Sequence, residues 1–199
     1  MDFKIGDKVV YPNHGVGIIE QVTKKSVGDM VSSFYCLRII STDSTVMVPV
    51  GNTIAVGLRK VLTRREVVRV MEVLRTGEVA TYDDWKGRFQ ANSEKMRTGS
   101  IYDVADVLKS LTLLSKSKSL SFREKRMLDR AKALIISEIS EVMQTTAQAI
   151  EDRVNEALEK CFMTKARNTQ RAVARAASAK AAPAKAVAAA APRRQARAS

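Results

Sequence analysis

Thr63-Arg64-Arg65-Glu66-Val67-Val68-Arg69-Val70-Met71-Glu72-Val73-Leu74 is where this chain changes period, and that change decides the fold. Thr63 and Glu66 have the Ser/Thr-x-x-Glu form of a capping box, in which hydroxyl and carboxylate each satisfy a free backbone N–H at a helix start. Val67, Val70, Met71 and Leu74 then recur at helical spacing. Upstream the pattern is that of short strands. Lys8–Tyr11 reads as a strand, Pro12-Asn13-His14-Gly15 as a turn, and Val16–Val22 as a strand with a bend or bulge at Gly17. Ser26–Ser33 reads as a hairpin loop, Phe34–Ile40 as a strand, Ser41–Ser44 as a turn, and Thr45–Pro49 as a strand. Pro49 has no N–H for a ladder, so its strand is expected at an edge or to end there.

Downstream the pattern is helical. Asp83 or Asp84 is placed to cap a helix carrying Trp85, Phe89 and Met96, which Gly99 stops. Ser100 starts another, with Val104, Val107, Leu108, Leu111 and Leu114 on one face. Ser121-Phe122-Arg123-Glu124 is a second capping box, opening a long helix with Met127, Leu128, Ala131, Leu134, Ile135, Ile139 and Val142 as its stripe. A last helix is expected near residues 146–162, using Ile150, Val154 and Leu158. The fold class is α+β: a five-stranded SH3/Tudor-like β-barrel over residues 1–62, then an all-α bundle of about five helices over 63–163.

Charge divides the chain again. The 199 residues carry 34 Lys and Arg against 21 Asp and Glu, net +13. Nine of those cations lie in residues 164–199, and no acid follows Glu159. This Ala/Lys/Arg-rich stretch has no apolar stripe and holds Pro183 and Pro192, so it reads as a disordered or transiently helical basic tail. Such a block favours an anionic partner, nucleic acid above all. Cys36 and Cys161 form no C-x-x-C pair, and with His14 as the single histidine no metal set is expected. Cys36 reads as a small buried hydrophobe and His14 as a turn residue. The first residues form no apolar leader and no stretch has the length of a membrane span, so a cytoplasmic place is expected. No nucleotide-binding loop or nucleophile motif appears, so neither enzymatic activity nor a cofactor is expected.

Trp85, the one tryptophan, opens the basic run Trp85-Lys86-Gly87-Arg88-Phe89. Its ring can pack sideways into its own domain, or act as a wedge leaning on or between bases. Lys86 and Arg88 are phosphate contacts or an ordinary solvated face. Lys125, Arg126 and Arg130 touch a DNA backbone or form helical ion pairs with Glu124 and Asp129. By pattern alone Met47 is open between core and exposed contact.

Taken in order, several stretches carry a resemblance: Phe3-Lys4-Ile5-Gly6-Asp7-Lys8-Val9-Val10-Tyr11-Pro12, His14-Gly15-Val16-Gly17, Phe34–Ile39, Val46–Pro49 and Val56-Gly57-Leu58-Arg59, then Trp85–Phe89, Glu94-Lys95, Thr98-Gly99, Ala105–Leu108 and Leu120–Leu128. With this spacing the sequence resembles the CarD/CdnL family of bacterial transcription regulators, from residue 3 to about 143. That family shares its N-terminal module with the RNA-polymerase-interacting domain of the transcription-repair coupling factor. The resemblance implies that the barrel binds the polymerase β subunit by extending its sheet, around Lys25, Leu37, Met47, Val48 and Pro49. It implies that Trp85 enters the minor groove at the upstream edge of the melted promoter; the cations Lys86, Arg88, Lys95, Arg97, Lys125 and Arg126 are then expected on the DNA backbone. The implied partners are polymerase holoenzyme with its primary sigma factor and promoter DNA. The implied form is a monomer at the nucleoid, without membrane contact. Two departures stand out: Met47 where some members carry Arg, and Gln90 where some carry Lys. The competing reading is a nucleoid-associated DNA-binding protein acting mainly through its basic tail.

Overall fold

The computed structural model describes residues 3–27, 30–76 and 84–180. Strands β1 (Lys8–Tyr11), β2 (Gly15–Val27), β3 (Met30–Ile39), β4 (Ser44–Pro49) and β5 (Arg59–Lys60) form one antiparallel sheet in the order β4-β3-β2-β1-β5. β4 and β5 are its edges. Five helices follow: α1 (Arg64–Thr76), α2 (Trp85–Arg97), α3 (Ile101–Ser117), α4 (Phe122–Met143) and α5 (Ala147–Lys180). The α+β architecture read from the change of period at Thr63 is therefore the one observed.

Alternation explains the sheet core. Val9, Ile19, Tyr35, Leu37 and Val48 turn inward and pack with Phe3 and Leu58. The Phe3 N–H donates to the Tyr35 hydroxyl at 3.2 Å. Two details differ from expectation. The register shift lies between Ile19 and Gln21, not at Gly17. A Cβ at Gly17 would instead stand 3.1 Å from the Arg38 carbonyl oxygen, so this glycine permits a close cross-strand approach. The hairpin also extends further, since β2 and β3 stay paired as far as Val27 and Met30. Ladder bonds need no buried side chains, and polar pairs such as Lys25 with Ser32 hide the strand pattern of that stretch.

The helix starts are chemical. Thr63 and Glu66 exchange their bonds as the capping box requires, and the Ser121 hydroxyl accepts the Glu124 N–H while Glu124 accepts the Ser121 N–H. Ser100 caps α3. Val70, Leu74, Leu108, Leu111, Ile135, Ile139, Ile150 and Val154 form the centre of the bundle core. Buried Lys109 of α3 donates to the Val73 carbonyl near the end of α1 at 3.1 Å.

Sheet and bundle are not loosely strung. The described residues fall into two units, the first running to Thr164, so β-sheet and helices share one body. Arg59 of β5 makes a two-pronged pair with Glu138 of α4, at 2.5 and 2.8 Å. Its Nε donates to the Gly99 carbonyl, and the Leu62 N–H donates to Glu138. Glu138 is 2% exposed, and these donors occupy both of its oxygens. Lys8 pairs with Glu141 nearby. The Pro12 ring fills the space where a Cβ on either Gly57 or Gly99 would stand, 3.0 Å away in both cases. Both glycines have positive φ.

The second unit starts at Lys165. Of the two states open to the tail, residues 164–180 take the helical one: α5 continues past Phe162 to Lys180. Ala, Arg and Lys are strong helix formers, and no Gly or Pro interrupts them before Pro183. The expectation of disorder for residues 181–199, and Asp83 as a cap, lie outside the described residues.

Candidate nucleic-acid and polymerase interfaces

Helix α2 begins at Trp85 because Asp84 is extended and its carboxylate accepts the Gly87 N–H at 2.8 Å. That bond, followed by the Lys86 N–H, holds the Asp84 carboxyl below its ordinary pKa. The helix buries only Asn92 and Met96. Trp85 is 42% exposed, which settles the choice between core and surface in favour of surface. One face of its ring lies against Phe89, with centroids 6.2 Å apart and planes within 20°. Phe89 is half-buried and backs the ring.

Not all of the six expected phosphate contacts are available. Arg88 is a correction: it binds Glu124 of α4 through Nε and Nη2, at 3.0 and 2.8 Å, and is largely buried there. Burial alone would raise the Glu124 carboxyl, but the Ser121 N–H, Arg88 and the Ser121 hydroxyl together hold it below its ordinary value. Arg88 therefore ties the first turn of α2 to the first turn of α4. Glu124 does not join an ion-pair network with Lys125, Arg126 or Arg130. Lys95 is also engaged, 3.4 Å from Asp106 of α3. Lys86, Arg97, Lys125 and Arg126 are exposed. Arg97 and Arg126 line a groove of about 390 Å³ with Arg130, Asn13, Ser93, Met96 and Met127. Among the described residues no carboxylate pairs with these three arginines. Asn13 of the β1–β2 turn joins this groove although nothing in its local sequence signals it. A second groove of about 380 Å³, between α1 and α5, contains none of the candidate residues.

The polymerase candidates separate in the same way. Met47 on edge strand β4 is 37% exposed, and the Lys25 ammonium lies 3.4 Å from its sulfur. Pro49 ends the strand and is half-buried. Val48 points its side chain into the sheet core, so only its backbone lies on the edge. Leu37 is a correction: it is 0% exposed, and β3 is paired on both sides, to Ile19 and to Val46. Neither its side chain nor its backbone reaches a free edge. The outer side of β4 carries no ladder partner among the described residues, which is the condition for adding a strand.

Among the described residues no group of three or more His, Cys, Asp or Glu could hold a metal ion. No helix there is long and apolar enough to cross a membrane. Cys36 and Cys161 are both buried thiols.

The outer side of β4 and the exposed Trp85 end of α2 are thus the two candidate contact surfaces of an α+β chain. Residues 3–62 match the CarD-like/TRCF RID domain, and residues 69–155 match the CarD C-terminal domain. The chain belongs to the CarD family of transcription regulators. It is 34% identical over 148 residues to the putative transcription factor YdeB of Bacillus subtilis (strain 168), covering 74% of this chain and 97% of that protein. It is also similar to the solution NMR structure of the 72-residue N-terminal domain of Myxococcus xanthus CarD, at 37% identity over 30% of this chain and 79% of that one, with a TM-score of 0.27.

Proposed function

We propose that this chain docks on the β subunit of RNA polymerase through edge strand β4 and prolongs the promoter open complex through Trp85. Residues 1–62 serve the polymerase contact, residues 63–163 the DNA contact, and residues 164–199 add sequence-indifferent attraction. The observation that carries the reading is the state of Trp85: exposed, at the first position of a capped helix, with one face backed by Phe89. A ring with one covered face and one open face suits capping the last base pair of a duplex at the edge of a bubble. Reclosure must displace the ring, so the melted state persists. Lys86, Arg97, Lys125 and Arg126, joined by Arg130, supply phosphate contacts that set the register. Met47, Lys25 and the backbone of Val46–Pro49 meet the β subunit, with an apolar contact at Met47. The protein acts as a monomer with holoenzyme containing the primary sigma factor, at promoters such as those of ribosomal RNA. It works in the cytoplasm at the nucleoid, with no catalysis and no cofactor.

The test is open-complex lifetime on a ribosomal-RNA promoter with cognate polymerase. Trp85→Ala should leave β-subunit binding and the thermal midpoint near those of the parent. It should shorten the lifetime by about five- to hundred-fold, the worth of one base–aromatic contact. An unchanged lifetime with intact β-subunit binding overturns the reading. The helical, acid-free run from Lys165 to Lys180 favours one competitor, a nucleoid protein acting through its tail. In that case a chain ending at Met163 loses the effect and Trp85→Ala keeps it.

A further inference from the structure

Phe122 occupies the first position of α4 and is 74% exposed. A phenylalanine this bare needs a reason, because its place is not slack. The Ser121–Glu124 capping box fixes the backbone on which it stands, and Glu124 is in turn held by Arg88. The same ion pair ties the first turn of α2, where Trp85 stands, to the first turn of α4, where Phe122 stands. The guanidinium of Arg126 lies over one face of the Phe122 ring, 5.8 Å from its centroid. Arg123, Lys125 and Arg126 around it are all exposed, whereas the one carboxylate in that turn, Glu124, is buried and occupied. The next acid along the helix is Asp129.

We infer that Phe122 and Arg126 form a second aromatic contact, one that stacks an unpaired base of single-stranded promoter DNA. The inference rests on the reading that Trp85 marks the duplex edge. The chemistry follows from the two faces of the ring. With Arg126 over one side, Phe122 cannot slide between two stacked base pairs, which needs both faces free. It can take one unpaired base on its open side, while Arg126 and Lys125 meet the phosphates that flank it. An aromatic with interleaved cations is the usual platform for single strands and tolerates any sequence, since every base has a π face. An acidic protein partner would satisfy the same cations but has no use for a flat ring.

The experiment uses the full chain with cognate polymerase, on a promoter carrying 2-aminopurine in the unpaired strand next to the upstream edge of the bubble. The variants are Phe122→Ala, Phe122→Leu, Phe122→Tyr and Trp85→Ala. Phe122→Ala and Phe122→Leu should both brighten the probe and shorten the open-complex lifetime by about five- to tenfold, while Phe122→Tyr stays near the parent. Thermal midpoints should be unchanged throughout, since the ring buries little. A Phe122→Leu protein that behaves as the parent overturns the inference in favour of an apolar protein contact. If Phe122→Ala weakens binding to fully paired promoter as much as it shortens the open complex, the ring reads duplex and the inference fails. If Phe122→Ala is silent while Trp85→Ala shortens the lifetime, the inference fails and the reading of Trp85 stands. If both are silent, the two fall together.

Discussion

The β4 edge and the Trp85 end of the bundle are both candidate contact surfaces, and they are built on different principles. At β4 the contact lies in the backbone. Among the described residues the strand has a ladder neighbour on one side only, which leaves a row of N–H and C=O groups on the other, and Met47 and Lys25 merely decorate it. At Trp85 the contact lies in side chains, and a supporting layer holds them: the Asp84 cap, the Phe89 ring, and the Arg88–Glu124 pair locked into a capping box. A strand edge therefore tolerates changes in the residues around it. A contact built on one exposed ring depends on the residues that hold that ring in place.

The largest expected effect comes from breaking what joins the two surfaces. Glu138→Ala strands Arg59 and frees the Leu62 N–H, and removing one member of a buried pair costs about 3–5 kcal/mol. In a chain of this size that lowers Tm by roughly 6–20 °C at 2–4 °C per kcal/mol. Differential scanning calorimetry reads it directly, and a change within a degree means that the pair does not couple sheet to bundle.

Next comes Arg88. If it holds Glu124, Arg88→Ala leaves a buried carboxylate unpaired and destabilises by about 3 kcal/mol. If it were a phosphate contact, the variant would keep its Tm and lose only DNA affinity. Chemical denaturation separates these outcomes, and Arg88→Lys should recover part of the stability without the two-pronged geometry.

A smaller effect is expected at β4. Met47→Asp places a carboxylate on the edge proposed to meet the β subunit and should weaken a β-subunit pull-down by about ten-fold, a cost near 1.4 kcal/mol. Trp85 fluorescence should not move. Undiminished capture by a folded Met47→Asp protein removes β4 as the docking edge.

The smallest effect is acid sensitivity at the Trp85 end. The Asp84 and Glu124 carboxyls are both held below their ordinary values, so their ionised forms favour the folded state. That stability is complete above about pH 5, clear of the ordinary carboxylate range, and is lost as pH falls through that range and the lowered values. In Arg88→Ala, burial is less opposed and the Glu124 value rises, so the acid transition followed by Trp85 emission should move to higher pH. An unmoved midpoint would show that Glu124 draws no stabilisation from Arg88.

Much of this was legible in the residues, and the limits were physical. Both capping boxes, the Ser100 cap and the Pro49 strand end are local devices, and each stands where its spacing placed it. Trp85 could be singled out by its basic surroundings, but its exposure could not, because α2 has almost no apolar stripe to set its rotation. Arg88 looked like a free cation because its partner lies 36 residues away. The resemblance placed Leu37 at the docking edge, and the sequence alone does not say which strand pairs on both sides. Phe122 sat unnoticed inside a motif that explains its neighbours, Ser121 and Glu124, and says nothing of where its ring goes.

The wedge of Pro12 between Gly57 and Gly99 has a mechanical consequence. A junction packed this closely has little room to bend. The strand that would grip the polymerase and the ring that would meet DNA are then held like the two jaws of a set gauge. On the proposed reading, their separation would vary little before either partner arrives. A promoter whose bubble opens at the matching distance from the polymerase lobe meets the ring at no further cost in shape. One that opens a base pair too far must strain its own DNA to reach it, and discrimination among promoters can arise without reading a base.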